Sequence, residues 1–483
     1  MSRTKIVATY GPACEDEKVF EAMIEKGLDV VRLNVSHLEP SELLSTTTRL
    51  RNIAAEADMP LAVLADMPGP KIRCSQCEPK EFELDDGEEI ELAAGDETST
   101  PERLHVQYPY LFEDVEVGHE LAINDGLVLI RIEEKVEDGG YLRGKVLRGG
   151  PVSSRKGVSF LQSTLRIAGL TDRDRLGLKA AVEAEVDFVA LSFVRSAEDI
   201  QAAREIMKEA GDATIPIVAK IEQHEAIDNI EDILEATDGI MVARGDMGIE
   251  QPLEHVPLLQ KDIIRRSNET GRFVITATQM LESMIEHARP TRAEVTDVAN
   301  AILDGSDAVM LSAETAMGAN PPLVVDTMTR IAISAETRID AEERLMWLHH
   351  AIDGDTDLDD ALALAACQLA LNADIDAFVC LSFYGSTARR ISRYRPDCPI
   401  YVLSPYVAQC RRLAITWGVE VFAFPEAKPE GQKELPSPSQ LIDPAIRTLR
   451  DKGRLQNDKR IVMLAGIPLD APGGTNWMRV VEL

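Results

Sequence analysis

The chain has 483 residues, 45% of them hydrophobic and 28% charged, with a formal net charge of −31. That is enough apolar material for about three domains at roughly 150 residues each, and the charge argues against nucleic acid and anionic membrane surfaces, both of which would repel it. No apolar run reaches the about 18 residues a membrane span needs, and the start, Met1-Ser-Arg-Thr-Lys-Ile-Val7, enters a strand-like pattern without a signal peptide. Seven scattered Cys point to reduced thiols and a cytoplasmic setting.

Short apolar runs recur at 4–8, 29–33, 61–65, 187–191, 215–219, 239–243, 273–277 and 307–311. All but the third lead into helix-like segments such as 16–26, 197–210 and 320–337. Eight buried strands alternating with helices predict an α/β (β/α)8 TIM barrel. Arg32, Asn34, Asp66, Ser192, Lys220, Glu222, Asp246, Thr278 and Ser312 fall at or just after the C-terminal end of a run. That rim is the catalytic face of such barrels.

After Asp66 the barrel rhythm stops until about Thr171. The insert reads as β, at Phe82–Leu84, Glu89–Leu92, Leu121–Ile123, Leu127–Ile132 and Tyr141–Val146, with hairpin signals at Asn124-Asp-Gly126 and Asp138-Gly-Gly140. Pro68-Gly69-Pro70 makes one side of a hinge. The expected domains are barrel 1–67 and 166–340, a small β-barrel lid 68–165, and a C-terminal open α/β domain 341–483. The last carries a helix at 357–371, strands at 377–381, 399–403 and 461–465, a helix at 386–394, and a loop or linker at 425–439 rich in Pro, Glu and Lys.

Ile215-Pro-Ile-Val-Ala-Lys220-Ile-Glu222 places an ammonium and a carboxylate at one strand end, and Gly239–Asp246 brings a second carboxylate to the next. Two carboxylates beside a Lys suit Mg²⁺ and phosphoryl transfer. Taken singly, Lys220 reads as a rim Lys salt-bridged to Glu222, and Glu222 and Asp246 read as helix N-caps or solvated rim charges.

These residues resemble the active-site signature of pyruvate kinase. So do, in the family's order, Thr4–Pro12, Arg32-Leu-Asn34-Val-Ser36-His37, Ala277–Met284, Arg289–Ala301, Leu311–Thr315 and Thr475–Val480. The resemblance implies transfer of phosphate from phosphoenolpyruvate to ADP, giving ATP and pyruvate, as the last step of glycolysis. It implies Arg32, Lys220 and Thr278 as catalytic residues, and Mg²⁺ or Mn²⁺ on Glu222 and Asp246. Gly245, Asp246, Arg32, Lys220 and Thr278 would contact phosphoenolpyruvate. Arg73, His37 and Lys156 would contact nucleotide. Ser312 and Glu314 would support a water relay from Thr278 to the enolate carbon, and a homotetramer is the expected assembly.

Asn34, Ser36 and Asp66 match the family's monovalent-cation site. Lys71 stands where potassium-dependent members carry Glu, so its ammonium is expected to replace K⁺. Ser382, Gly385, Ser386 and Thr387 resemble the effector phosphate loop, but Tyr384 and the loop Pro468–Gly474 depart from the fructose 1,6-bisphosphate pattern. Cys74 and Cys77 have metal-type spacing without a second pair and read as structural. The acidic excess reads as a surface coat tolerated at high salt, or as that of an ordinary acidic enzyme. Two rival readings are weaker: a metal-dependent barrel lyase handling pyruvate enolate would lack the β insert and the Arg32–His37 block, and a catalytically silent relative that senses or scaffolds would not need every expected reactive residue.

Overall fold

The computed structural model describes residues 2–36, 38–57, 59–351, 357–428, 435–471 and 474–483. Eight parallel strands close into a barrel: Lys5–Thr9, Val30–Asn34, Ala62–Met67, Phe188–Leu191, Ile217–Ile221, Gly239–Ala243, Phe273–Ala277 and Ala308–Leu311. Every expected barrel strand is present within a residue or two. Their residues are buried almost without break because helices cover the outside and side chains fill the inside. The interior holds Val7, Leu64, Val218, Met241 and Ile275, with the Phe188 and Phe273 rings edge to face at 5.6 Å. Ala414 and Ile415 of the C-terminal domain belong to the same cluster and plug the floor.

Register sets the rim. Asn34 pairs with Asp66 and Asp66 with Ala190, so the ends of the second, third and fourth strands are level. Lys220 pairs with Met241, leaving Glu222 and Asp246 just past two adjacent strands.

The chain leaves the barrel after Met67 through Pro68-Gly69-Pro70. Gly69 has φ +68°, and its N–H donates to the buried carboxylate of Asp174 at 2.9 Å. The insert is a curled six-stranded sheet in the order Val158–Phe160, Glu120–Ile123, Val128–Val136, Tyr141–Arg148, Glu89–Ala94, Arg103–Val106. Gly150–Ser153 pairs separately with Glu81–Leu84. The insert has its own apolar core, into which Cys74 and Cys77 pack. Asn124 and Asp125 both take left-handed backbone, as the hairpin reading requires, and Gly126 of that turn faces Ile249 of the barrel helix Arg244–Glu250.

The C-terminal sheet runs Val419–Ala423, Ile400–Ser404, Ala377–Leu381, Arg460–Ala465, with Trp477–Glu482 antiparallel at its edge. The helices Leu358–Asn372 and Ser386–Arg393 lie where the sequence places them. Part of the expected loop at 425–439 lies outside the described residues, and its end opens a helix, Pro438–Asp451. Among the described residues no helix is long and apolar enough to cross a membrane.

Candidate active site

Lys220 is the centre of a buried ion network at the rim. Its Nζ lies 2.9 Å from Glu222 Oε1 and 3.6 Å from Asp66 Oδ1, and it donates to Ser192 Oγ at 2.6 Å. Asp66 and Glu222 are 2% and 1% exposed, so both carboxylates are shielded from bulk solvent. Arg32 Nε donates to Asp66 Oδ2 at 2.6 Å and its Nη1 to Thr9 Oγ1 at 3.0 Å, which fixes the guanidinium beside Lys220. Ser192 Oγ in turn donates to Met67 O at 2.8 Å.

The charges set the titration of the site. Burial alone would raise the Asp66 carboxyl, but Lys220 and Arg32 outweigh it and hold it below its usual value. Burial alone would lower the Lys220 ammonium, yet Asp66 and Glu222 keep it above its usual value. Glu222 is pushed up to about 7 by burial and by Asp246, against the pull of Lys220.

Glu222 Oε2 accepts the Phe193 N–H at 2.7 Å, whereas its buried Oε1 has no hydrogen-bond partner, only the off-axis ion pair with Lys220. A buried acceptor left in this state is suited to a metal ion. Asp246 is half-buried and close enough to act electrostatically on both Glu222 and Lys220. Among the described residues no three His, Cys, Asp or Glu side chains form a closed metal cage. Two hard oxygen donors with open positions fit Mg²⁺ or Mn²⁺ completed by water and substrate oxygens.

Thr278 follows the seventh strand in left-handed backbone, φ +69°, and Gln279 follows at +53°. A β-branched residue in that region is strained. Arg244 holds the turn, its Nη2 on Thr278 O at 2.7 Å and its Nη1 on Asp297 Oδ1 at 2.7 Å. Thr278 Oγ1 accepts the Gly245 N–H at 2.8 Å and donates to Ala277 O at 2.6 Å. The Gly245 N–H therefore reaches a substrate only if Thr278 turns. Glu314 is buried and braces two backbones, accepting Leu281 N at 3.2 Å and Ser312 N at 2.6 Å.

Other expected positions sit around this centre. Asn34 Oδ1 accepts the Ser36 N–H at 3.0 Å beside the Asp66 strand. Lys71 Nζ reaches Asp246 Oδ1 at 3.2 Å and Asp125 Oδ1 at 4.0 Å, and Asp66 of the expected cation site is not among its ion partners. Arg73 is exposed on the insert, its Nη1 on Arg155 O at 3.0 Å, and Lys156 lies on the adjoining strand junction. His37 lies outside the described residues. In the C-terminal domain, Ser382 Oγ accepts the Gly385 N–H at 2.9 Å, Gly385 has φ +82°, and Ser386 opens the helix. Thr387 Oγ1 meets Thr475 Oγ1 at 2.8 Å, and Tyr384 OH donates to Asp470 O at 3.2 Å across the loop.

Several contacts were not assigned in the sequence reading, which placed Ser192 at the rim without a partner. Thr9 orients Arg32, Ser192 orients Lys220, Asp174 anchors the hinge, and Asp125 faces Lys71. Strand-end placement, which flagged Ser192, could also have flagged Thr9.

Comparison with known proteins gives one consistent result. The family "Pyruvate kinase, barrel domain" matches residues 1–325, and "Pyruvate kinase, alpha/beta domain" matches residues 360–481. The chain is 40% identical over 480 residues to proteins named pyruvate kinase from Staphylococcus epidermidis and Staphylococcus aureus, covering 99% of this chain and 80% of each relative. A crystal structure of a pyruvate kinase from Cryptosporidium parvum superposes with TM-score 0.92 at 32% identity, covering 100% of this chain and 96% of that one.

Proposed function

The chain belongs to the pyruvate kinase family of phosphotransferases, and from that premise we propose that the rim cluster around Lys220 moves the phosphoryl group of phosphoenolpyruvate to ADP, giving ATP and pyruvate as the last step of glycolysis. The observation that carries this reading is the Lys220 ammonium fixed between Glu222, Asp66 and Ser192 with Arg32 alongside.

Arg32 offers a guanidinium to the phosphoryl oxygens while Asp66 and Thr9 hold it in place. Lys220 stays charged because two buried carboxylates face it, so it offsets negative charge as the phosphoryl group shifts and the enolate forms. Glu222 and Asp246 would hold Mg²⁺ or Mn²⁺, whose positive charge would offset the negative charge on phosphate and enolate oxygens. The Thr278 hydroxyl, presented by the strained turn, lies at the edge of the site and passes a proton through water to the enolate carbon. Glu314 supports this relay by fixing the backbone on both sides of it, and Ser312 borders it. Arg73 and Lys156 reach nucleotide phosphates from the insert, which acts as a lid that excludes water.

Lys71 standing where potassium-dependent members carry Glu is the basis for expecting activity without K⁺, although its ammonium rests on Asp246 and not among Asn34, Ser36 and Asp66, which line the corresponding site. The loop Ser382, Gly385, Ser386, Thr387 is a candidate phosphate-effector site. A cytoplasmic homotetramer is the accompanying expectation.

The direct test is a lactate-dehydrogenase-coupled assay of the purified protein with phosphoenolpyruvate, ADP and Mg²⁺, with and without K⁺. Turnover is expected in the parent protein without added K⁺. Absence of pyruvate formation under every cation condition overturns the assignment.

A further inference from the structure

Lys71 is a lid residue whose charged end reaches the barrel. It stands two residues after the Gly69 hinge, its stem runs against Gly157, and its Nζ lies 3.2 Å from Asp246 Oδ1. A second carboxylate, Asp125 on the lid's own hairpin turn, lies 4.0 Å away. Lys71 and Asp246 are each about a third exposed, at 32% and 31%, whereas Asp125 is 71% exposed. The two partners differ in what they connect. A Lys71–Asp246 pair ties the lid to the rim, and a Lys71–Asp125 pair lies wholly within the lid and moves with it.

We propose that Lys71 is a latch: its ammonium and a divalent ion compete for the Asp246 carboxylate, and when the ion takes that group Lys71 passes to Asp125 and frees the lid. This rests on the reading of Asp246 as a divalent-ion ligand. An ammonium and a dication on one carboxylate oxygen repel each other strongly at such separations. Asp125 offers the displaced ammonium a nearby anion, so it is not left unpaired. Lid position thereby reports metal occupancy before substrate arrives. This role is separate from replacing K⁺, which would seat the ammonium among Asn34, Ser36 and Asp66.

Mn²⁺ binding to the full-length protein without substrate, measured by calorimetry and paired with hydrogen exchange of the lid, tests the latch. Lys71→Met should tighten Mn²⁺ about two- to fivefold, the range of a partly exposed ion pair, and Asp125→Asn should weaken it by a smaller factor. Lys145→Met, which removes an equal charge from an exposed position on the lid strand Tyr141–Arg148, should change the affinity less than twofold. In the parent, Mn²⁺ should speed exchange at the hinge and in the 124–126 turn; in Lys71→Met exchange should already be fast and Mn²⁺ should add nothing. If Lys71→Met binds Mn²⁺ as the parent does, or Mn²⁺ leaves parent lid exchange unchanged, while Asp246→Asn abolishes binding, the latch is overturned and the metal assignment stands. If Asp246→Asn binds Mn²⁺ with parental affinity, the metal assignment falls and the latch with it.

Discussion

At the scale of single residues, Lys220 carries the most weight because three groups from three strands fix one ammonium. The sequence shows Lys220 and Glu222 at one strand end, and Asp246 at the next, since their spacing along the chain is local. It does not show that Ser192 and Asp66 converge on Lys220, because those contacts arise from barrel closure and register. Lys220→Met is expected to lower kcat by about 10³-fold or more while far-ultraviolet circular dichroism stays native. Glu222 adds a pH dependence. Its carboxyl sits at about 7, so below that pH a proton competes with a divalent ion for the same oxygens. The apparent affinity for Mg²⁺ should therefore fall as pH drops from 8 to 6, by up to about tenfold per pH unit once Glu222 is mainly protonated. A Mg²⁺ titration whose midpoint is flat over that range excludes the shift.

Elements differ in how plainly they announce themselves. The barrel strands are continuous apolar runs because both faces are buried, and the sequence locates all of them. Arg103–Val106 is a four-residue strand with half-buried polar positions, and Val158–Phe160 has three residues, so neither leaves a periodic signal. The helix Pro438–Asp451 carries Pro444 in its interior, which reads as a breaker. The hinge is legible as Pro-Gly-Pro, but its anchor Asp174 lies on a later helix and is not. A Cβ at Gly69 would sit 2.8 Å from Ser192 O and from the Phe193 ring, in left-handed backbone. Gly69→Ala should therefore cost about 1–3 kcal/mol in a denaturant titration and raise KM for ADP more than for phosphoenolpyruvate. Unchanged stability and KM would show that the hinge tolerates a side chain.

Taken whole, the molecule has 82 acidic against 51 basic Lys and Arg residues, and many of its ion pairs lie at half-exposed positions, where salt weakens attraction and repulsion alike. With repulsion in excess, the thermal midpoint is expected to rise by several degrees between 0.1 and 2 M NaCl, as screening shortens to about 3 Å near 1 M. A midpoint that falls over this range contradicts the acidic-coat reading. The seven Cys are free, and all but Cys398 are buried. Burial raises Cys14, Cys74 and Cys410 to about 11, so native protein should react with a thiol reagent far more slowly than unfolded protein. In the proposed mechanism Glu222 and Asp246 hold one divalent ion against the Lys220 ammonium, and each part has a separate duty. Equilibrium Mn²⁺ binding and coupled turnover, measured together on Lys220→Met and Glu222→Gln, separate the two duties. Lys220→Met should keep the ion and lose turnover, and Glu222→Gln should lose both; near-parental turnover in the first, or parental Mn²⁺ affinity in the second, contradicts it.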